Sequence, residues 1–249
     1  MKPVIVVLIV ASFALVHGGV LPDYLPRPCS KSDPNFKECT LRAFKKAEPY
    51  VIKGIPQLNI PKLEPLEIPE FSIDRTLNDF VSIIGTTKNI KVTGLSKYIL
   101  QDFKFDPNDL SFEATVNLPN LVASMEYNVA GRLLVVPLQG RGFFKGNFTN
   151  TDVSLRGSLK PFEKDGVQYF SVDKISVKSR VGNGIVKLIS KDPRNQFAAD
   201  LITTFFNENP RRVLDAINPI YVESAAQFYG QMFNSILSTI PASELLPAK

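Results

Sequence analysis

Between residues 71 and 190 the chain places an apolar side chain at every second position, and beyond residue 197 at every third or fourth. Leu110, Phe112, Ala114, Val116 and Leu118 alternate with Ser111, Glu113, Thr115 and Asn117, and beyond Pro119 the alternation resumes on Leu121, Ala123, Met125, Tyr127 and Val129. Val153, Leu155, Gly157 and Leu159 alternate with Asp152, Ser154, Arg156 and Ser158 in the same way. Successive side chains on a strand point to opposite faces, so period two over this length specifies a large antiparallel sheet with one buried face. Asp165-Gly166 between two β-rich runs is the strongest short hairpin signal. Leu133 to Leu138 is apolar on both faces. Gly140, Gly142 and Gly146 fall on the inward phase, where a missing side chain lets a sheet bend or lets another group approach its backbone. Gly182-Asn183-Gly184 lacks the Lys-Ser/Thr of a phosphate loop and reads as a turn.

Helical period brackets this sheet. Asp33-Pro34 is a cap followed by proline, and Phe36, Cys39, Ala43, Phe44, Ala47 and Val51 recur at spacings of three and four up to Gly54. Prolines at 56, 61, 65 and 69 then forbid a helix or a central strand, which makes this stretch extended chain on an edge. Near the C-terminus Phe197, Leu201 and Phe205 form a short stripe. A second start, Asn209-Pro210, opens a long helix carrying Leu214, Ile217, Tyr221, Ala225, Phe228, Met232 and Ile236 on one side. That helix runs on the order of 45 Å before Pro241 stops it. The expected fold is α+β, a single domain over residues 19–249 with a long C-terminal helix wrapped by a highly curved antiparallel sheet.

One helix against one curved sheet makes an elongated core that is hard to fill without leaving a tube, and the chain holds 18 Phe. The candidate tunnel residues are Tyr127, Leu133, Val135, Phe205, Leu214, Ile217, Tyr221, Phe228, Met232 and Ile236. Each has a plainer role as core filling. The Tyr127 and Tyr221 hydroxyls either orient an apolar ligand or cap a core with the oxygen in water.

The ends and the composition narrow the function. Lys2 followed by an apolar run from Val4 to Val16, then small residues up to Gly18, reads as a signal peptide over residues 1–18. The run is too short for the ~20 residues of a membrane helix, and no later segment is apolar enough to span a bilayer. In an oxidising compartment Cys29 and Cys39 read as one disulfide. A metal reading would need further ligands, and none is evident. Asn147-Phe148-Thr149 is a sequon, and Asn147 shares an outward phase with Arg141 and Lys145. The one histidine, His17, lies in the leader, which leaves no imidazole for a nucleophilic triad or a zinc site. No catalytic residue, metal ligand or cofactor site is expected. Basic residues are scattered, with a net charge of +5, so no nucleic-acid partner is expected either.

The order and spacing of several segments resemble the insect haemolymph juvenile hormone binding protein and takeout family over nearly the whole mature length. They are the Cys29/Cys39 pair, Lys53-Gly54-Ile55-Pro56-Gln57-Leu58, Val92-Thr93-Gly94-Leu95-Ser96, the run from Tyr127 to Gly142, and the tail from Phe206 to Pro247. The resemblance implies a long helix in a highly curved sheet, a hydrophobic tunnel, and secretion into haemolymph or a similar fluid. It also implies roles that vary by branch. The expected function is therefore a secreted carrier of an isoprenoid, juvenile-hormone-like or fatty long-chain molecule. The alternative is an extracellular regulator of circadian rhythm or feeding that acts through a protein partner.

Overall fold

The structure, a computed structural model, describes residues 20–133 and 136–248, without the side chains of 133 and 136–138. The expected leader, 1–18, and Val135 lie outside the described residues, as does the side chain of Leu133.

An N-terminal arm leads into helix α1 (Phe36–Lys53), which starts behind Asn35 and is ended by Gly54 at φ 83°. The start is two residues later than Asp33-Pro34 suggested, because the Asp33 carboxylate turns back to accept the Asn35 N–H at 2.8 Å. The Cys29–Cys39 disulfide ties arm to helix across a Cα–Cα distance of 6.0 Å. Six strands follow: β1 (Leu66–Asn78), β2 (Val81–Thr93), β3 (Ile99–Asp106), β4 (Ser111–Leu133), β5 (Val136–Lys164) and β6 (Val167–Ser190). All pair antiparallel in the order β1-β2-β4-β5-β6, and β3 also lies against β4. Proline-bearing β1 is an outer strand, where a missing N–H costs no ladder bond. Asp165 (φ 54°) and Gly166 (φ 77°) form the β5–β6 turn with both residues left-handed, the geometry that matches strand twist.

The sheet carries a transverse crease. On β5 the inward residues pass from Phe148 to Thr151, on β4 from Leu118 to Leu121, and on β6 from Val181 to Gly184, steps of three where the pleat alone gives two. Leu121, Phe148 and Gly184 stand opposite one another across the strands, as do Leu118, Thr151 and Val181, so the three shifts share one line. Asn150, at φ 51°, sits on that line. This corrects the reading of Gly182-Asn183-Gly184 as a turn: the three residues lie inside β6, at the crease.

Helices α2 (Gln196–Glu208), α3 (Pro210–Leu237) and the short α4 (Ala242–Leu245) complete the chain. Asn209 precedes Pro210 at the start of α3, as the spacing indicated. The stripe expected on α2 is corrected. Ala199 and Phe206 are its buried residues, while Phe197 and Leu201 are 80% and 54% exposed. What orients α2 is the open edge of β6. Gln196, Thr203 and Asn207 accept the N–H groups of Ser190, Leu188 and Val186 at 2.9, 3.1 and 2.8 Å, and the Asn207 amide donates to the Val186 carbonyl at 3.0 Å. Side chains of a helix thus take the place of a seventh strand and satisfy an edge that would otherwise pair with another chain. On α3, Asn234 does the same for the Val172 N–H at 2.7 Å.

Candidate functional site

The inward face can be followed across five strands from the register. Phe71 on β1 stands opposite Thr87, Thr87 opposite Tyr127, Tyr127 opposite Gly142, and Gly142 opposite Ser190. The next row runs Ile73, Gly85, Val129, Gly140. Phe71, Ile73 and Arg75 are half-buried while Ser72, Asp74 and Thr76 between them are exposed, which fixes the inward phase of β1. The inward glycines make room for rings from neighbouring positions. A Cβ at Gly142 would come within 2.8 Å of the Tyr127 hydroxyl, and one at Gly146 would strike the Phe144 and Phe148 rings at 2.7–2.8 Å. The floor of the sheet is therefore tiled by aromatic faces lying over glycine backbone.

Helix α3 lies chiefly along β6 and reaches across the concave side to β1 and β4. Two hollows remain on this side. One, of about 430 Å³ and open to solvent, lies between Phe71, Ile73 and Arg75 of β1, Gly85 of β2, and Ser224 and Gln227 of α3. The other, a small recess of about 40 Å³, lies between Tyr127, Val129, Gly140 and Leu188 of the sheet and Ala199 and Ile202 of α2. Both are bounded by the two rows just described. The first is of a size that takes a small ligand, whereas the second holds no more than a few water molecules.

Apolar clusters close the hollow region along its length. At one end Phe206, Val213, Leu214 and Val186 are buried together, with Phe205 and Ile217 against them. At the other, Ile55, Leu58 and Ile240 are buried with Val51 and Ile236 around them. Between these, Leu118, Val153 and Val177 pack under Val222, Ala225 and Tyr229 of α3.

The tunnel candidates thus separate. Phe205, Leu214 and Ile217 belong to one end cluster and Ile236 to the other. Tyr127 lines the smaller hollow, and burial pushes its phenol pKa up. Tyr221 keeps 43% of its surface accessible, yet burial among surrounding protein atoms raises its pKa, opposed by the Ser179 hydroxyl. Phe228 and Met232 are half-buried on the same helix, with the Phe228 ring 5.7 Å from that of Tyr229. The residues that sequence reasoning passed over are Phe71, Ile73 and Arg75, whose alternation was present but was overshadowed by the prolines before it, and Tyr229 and Ser179. Among the described residues no three His, Cys, Asp or Glu side chains group as a metal cage would require, and no helix is long and apolar enough to cross a membrane.

Comparison with known proteins agrees with this architecture. The family model for haemolymph juvenile hormone binding protein matches residues 4–247. The circadian clock-controlled protein daywake of Drosophila yakuba is 19% identical over 206 residues, which cover 79% of this chain and 78% of that protein. The crystal structure of Takeout 1 from Epiphyas postvittana superposes with a TM-score of 0.69 at 23% identity, covering 89% of this chain and 100% of that one. The last comparison establishes the fold: a curled antiparallel sheet around a C-terminal helix.

Proposed function

The chain belongs to the haemolymph juvenile hormone binding protein family, and from that premise we propose that it is a secreted, non-catalytic carrier holding a hydrophobic small molecule between its curled sheet and α3. The observation that carries this reading is the concave face itself. Phe71 and Ile73 of the inward rows border a hollow between the sheet and α3, and Tyr127 and Val129 continue the apolar lining toward α2. Burying about ten methylenes of an isoprenoid or fatty chain contributes ~8 kcal/mol before the costs of association. That alone corresponds to about micromolar binding. Once several kcal/mol are lost to immobilisation, a longer chain, of ~15 buried methylenes and ~12 kcal/mol, is what binds at about micromolar.

Secretion is supported by the leader-like first 18 residues, by the Cys29–Cys39 bridge, which suits an oxidising compartment, and by the exposed position of Asn147. A protein recovered from the medium of insect cells, extracted and read by mass spectrometry, will yield a stoichiometric long-chain or isoprenoid lipid. Recovery without any lipid, and no binding of added lipids, overturns the carrier reading.

The name of the daywake relative supports a second reading, an extracellular regulator of rhythm that acts through a protein partner. It is separated from the first by the same preparation, because a regulator of that kind needs no lipid.

A further inference from the structure

Helix α1 lies on the outside of the fold, and none of its 18 residues is buried. One side of it rests on β3 and the loop before it. Phe36 packs against Phe105, and Phe44 against Phe103 and Tyr98, with ring centroids 6.0, 6.3 and 6.4 Å apart. Lys37 and Glu48 are on that side as well, facing Asp102 and the Tyr98 hydroxyl. The opposite side carries Arg42, Lys45, Lys46, Pro49 and Lys53, all exposed.

Between α1 and the N-terminal arm runs a groove of about 490 Å³, open to solvent. Tyr24 and Arg27 of the arm and Arg42, Lys46 and Tyr50 of α1 line it, as does Cys39, whose disulfide to Cys29 ties the two walls together. The Tyr24 and Tyr50 rings stand 4.9 Å apart, yet the two residues keep 48% and 38% of their surface exposed. No carboxylate lines the groove. Among the described residues, Arg27, Arg42, Lys45, Lys46 and Lys53 have no carboxylate within ion-pair distance. Residues 20–53 hold seven Lys and Arg against four Asp and Glu. The exposed Asp23 and Glu38 reduce this positive field without cancelling it.

We propose that this side of α1 and the arm docks on the headgroup plane of an anionic bilayer. The occupant follows from how the charge is spread. From Arg42 to Lys53 the cations span about 16 Å of helix, longer than a single phosphate or carboxylate can cover, whereas a layer of anionic headgroups meets them all at once. Tyrosine suits the same plane, with its ring at the acyl boundary and its hydroxyl among the headgroups. Attraction of this kind adds up charge by charge and fades within a Debye length, so the docking is reversible and salt-sensitive. Leu21 and Leu25 of the arm and Val51 of α1 pack on Ile55, Leu58 and Ile240. Docking therefore lays that end of the hollow region against the membrane. Its use, handing the carried lipid to a bilayer, rests on the carrier reading; the docking itself does not.

The test is flotation of the full secreted protein with vesicles of phosphatidylcholine alone or mixed with phosphatidylserine. Wild type should bind the mixed vesicles and not the neutral ones, and should come off as salt is raised. Arg42→Gln with Lys45→Gln and Lys46→Gln should weaken that binding on the order of a hundredfold, about fivefold per charge. Lys145→Gln with Lys178→Gln and Lys187→Gln makes the same charge change on the exposed outer face of β5 and β6 and should leave binding near wild type. Both variants should keep the wild-type melting temperature and affinity for a fluorescent fatty chain. If the α1 variant floats like wild type, if the two variants lose binding alike, or if neutral vesicles bind as well, the docking surface is overturned while the carrier stands. Displacement by inorganic phosphate beyond the effect of chloride at equal ionic strength would mark a single-anion pocket, and retention on heparin without vesicle binding a surface for sulfated glycan. Either result overturns it too.

Discussion

Arg75 on β1 and Glu223 on α3 lie 3.1 Å apart, Nε to carboxylate, and so connect the outer strand at one side of the sheet to the helix that lies along the other side. Arg75 also lines the larger hollow. The Nε–H is not aligned as a hydrogen-bond donor, so the contact is an ion pair held by charge. Both side chains are partly exposed, 31% and 51%, and such a pair contributes ~0–1 kcal/mol to stability. Its position matters more than its strength.

Glu223→Gln should therefore lower the melting temperature by no more than a few degrees, corresponding to that ~0–1 kcal/mol, while speeding lipid release, because the side of the hollow opens more often. Stopped-flow transfer of a fluorescent fatty chain to vesicles measures the release. Raising the salt concentration should move wild type toward the variant. Equal release rates for the two proteins would show that the pair does not guard the hollow.

Phe228 sits half-buried on α3 beside Tyr229. If it borders ligand space, Phe228→Trp will reduce long-chain binding with little change in melting temperature. In a filled core the larger ring overpacks and costs ~1–3 kcal/mol. Calorimetry and a binding titration on the same preparation separate the two outcomes.

The disulfide holds the arm against α1, and the arm's Leu21 and Leu25 pack on the cluster of Ile55, Leu58 and Ile240. Cys29→Ser with Cys39→Ser should cost ~2–3 kcal/mol in the chain-entropy account, read as a fall in the urea midpoint. Thiol titration of denatured, unreduced wild type should find no free thiol.

Glu64 accepts four hydrogen bonds from the loop after β2: two from the Gly94 N–H at 3.0 Å, one from the Ser96 hydroxyl at 2.9 Å and one from its N–H at 3.3 Å. Partial burial opposes ionisation, but these bonds and nearby Lys97 outweigh it and hold the pKa below its ordinary 4.5. A carboxylate whose folded pKa is depressed stabilises the fold fully above its unfolded value and loses that contribution as pH falls through the lower, folded value. Wild type should thus lose stability over Glu64→Gln steadily below pH 4.5, and the gap between their melting temperatures should narrow as acid is added. A gap independent of pH would mean that the carboxylate charge is not what the loop requires.

Asn147 is exposed on the outer face of β5. In a eukaryotic secretory host it should carry a glycan, seen as a mobility shift on glycosidase treatment that Asn147→Gln abolishes.

Several features follow from local pattern alone. Period two made residues 71–190 a sheet, Asp165-Gly166 supplied a two-residue hairpin turn, prolines at 65 and 69 kept β1 on the outside, and Asn209-Pro210 opened α3, because each depends only on the backbone preferences of neighbouring residues. The inward positions of Tyr127 and Gly142 and the outward one of Asn147 were legible for the same reason. What tertiary structure decided was wherever neighbouring strands had a say. Gly182-Asn183-Gly184 has the composition of a turn, but it lies within β6 because β4 and β5 crease on the same line. The same crease shifts the inward phase by one residue, so that on β5 it passes from Phe144 and Phe148 to Thr151 and Val153, a break that the alternation on either side of it does not reveal. Phe197 and Leu201 look like a core stripe, yet the open N–H and C=O groups of β6 claim the face of α2 bearing Gln196, Thr203 and Asn207, since leaving a sheet edge unpaired costs more than exposing two apolar side chains.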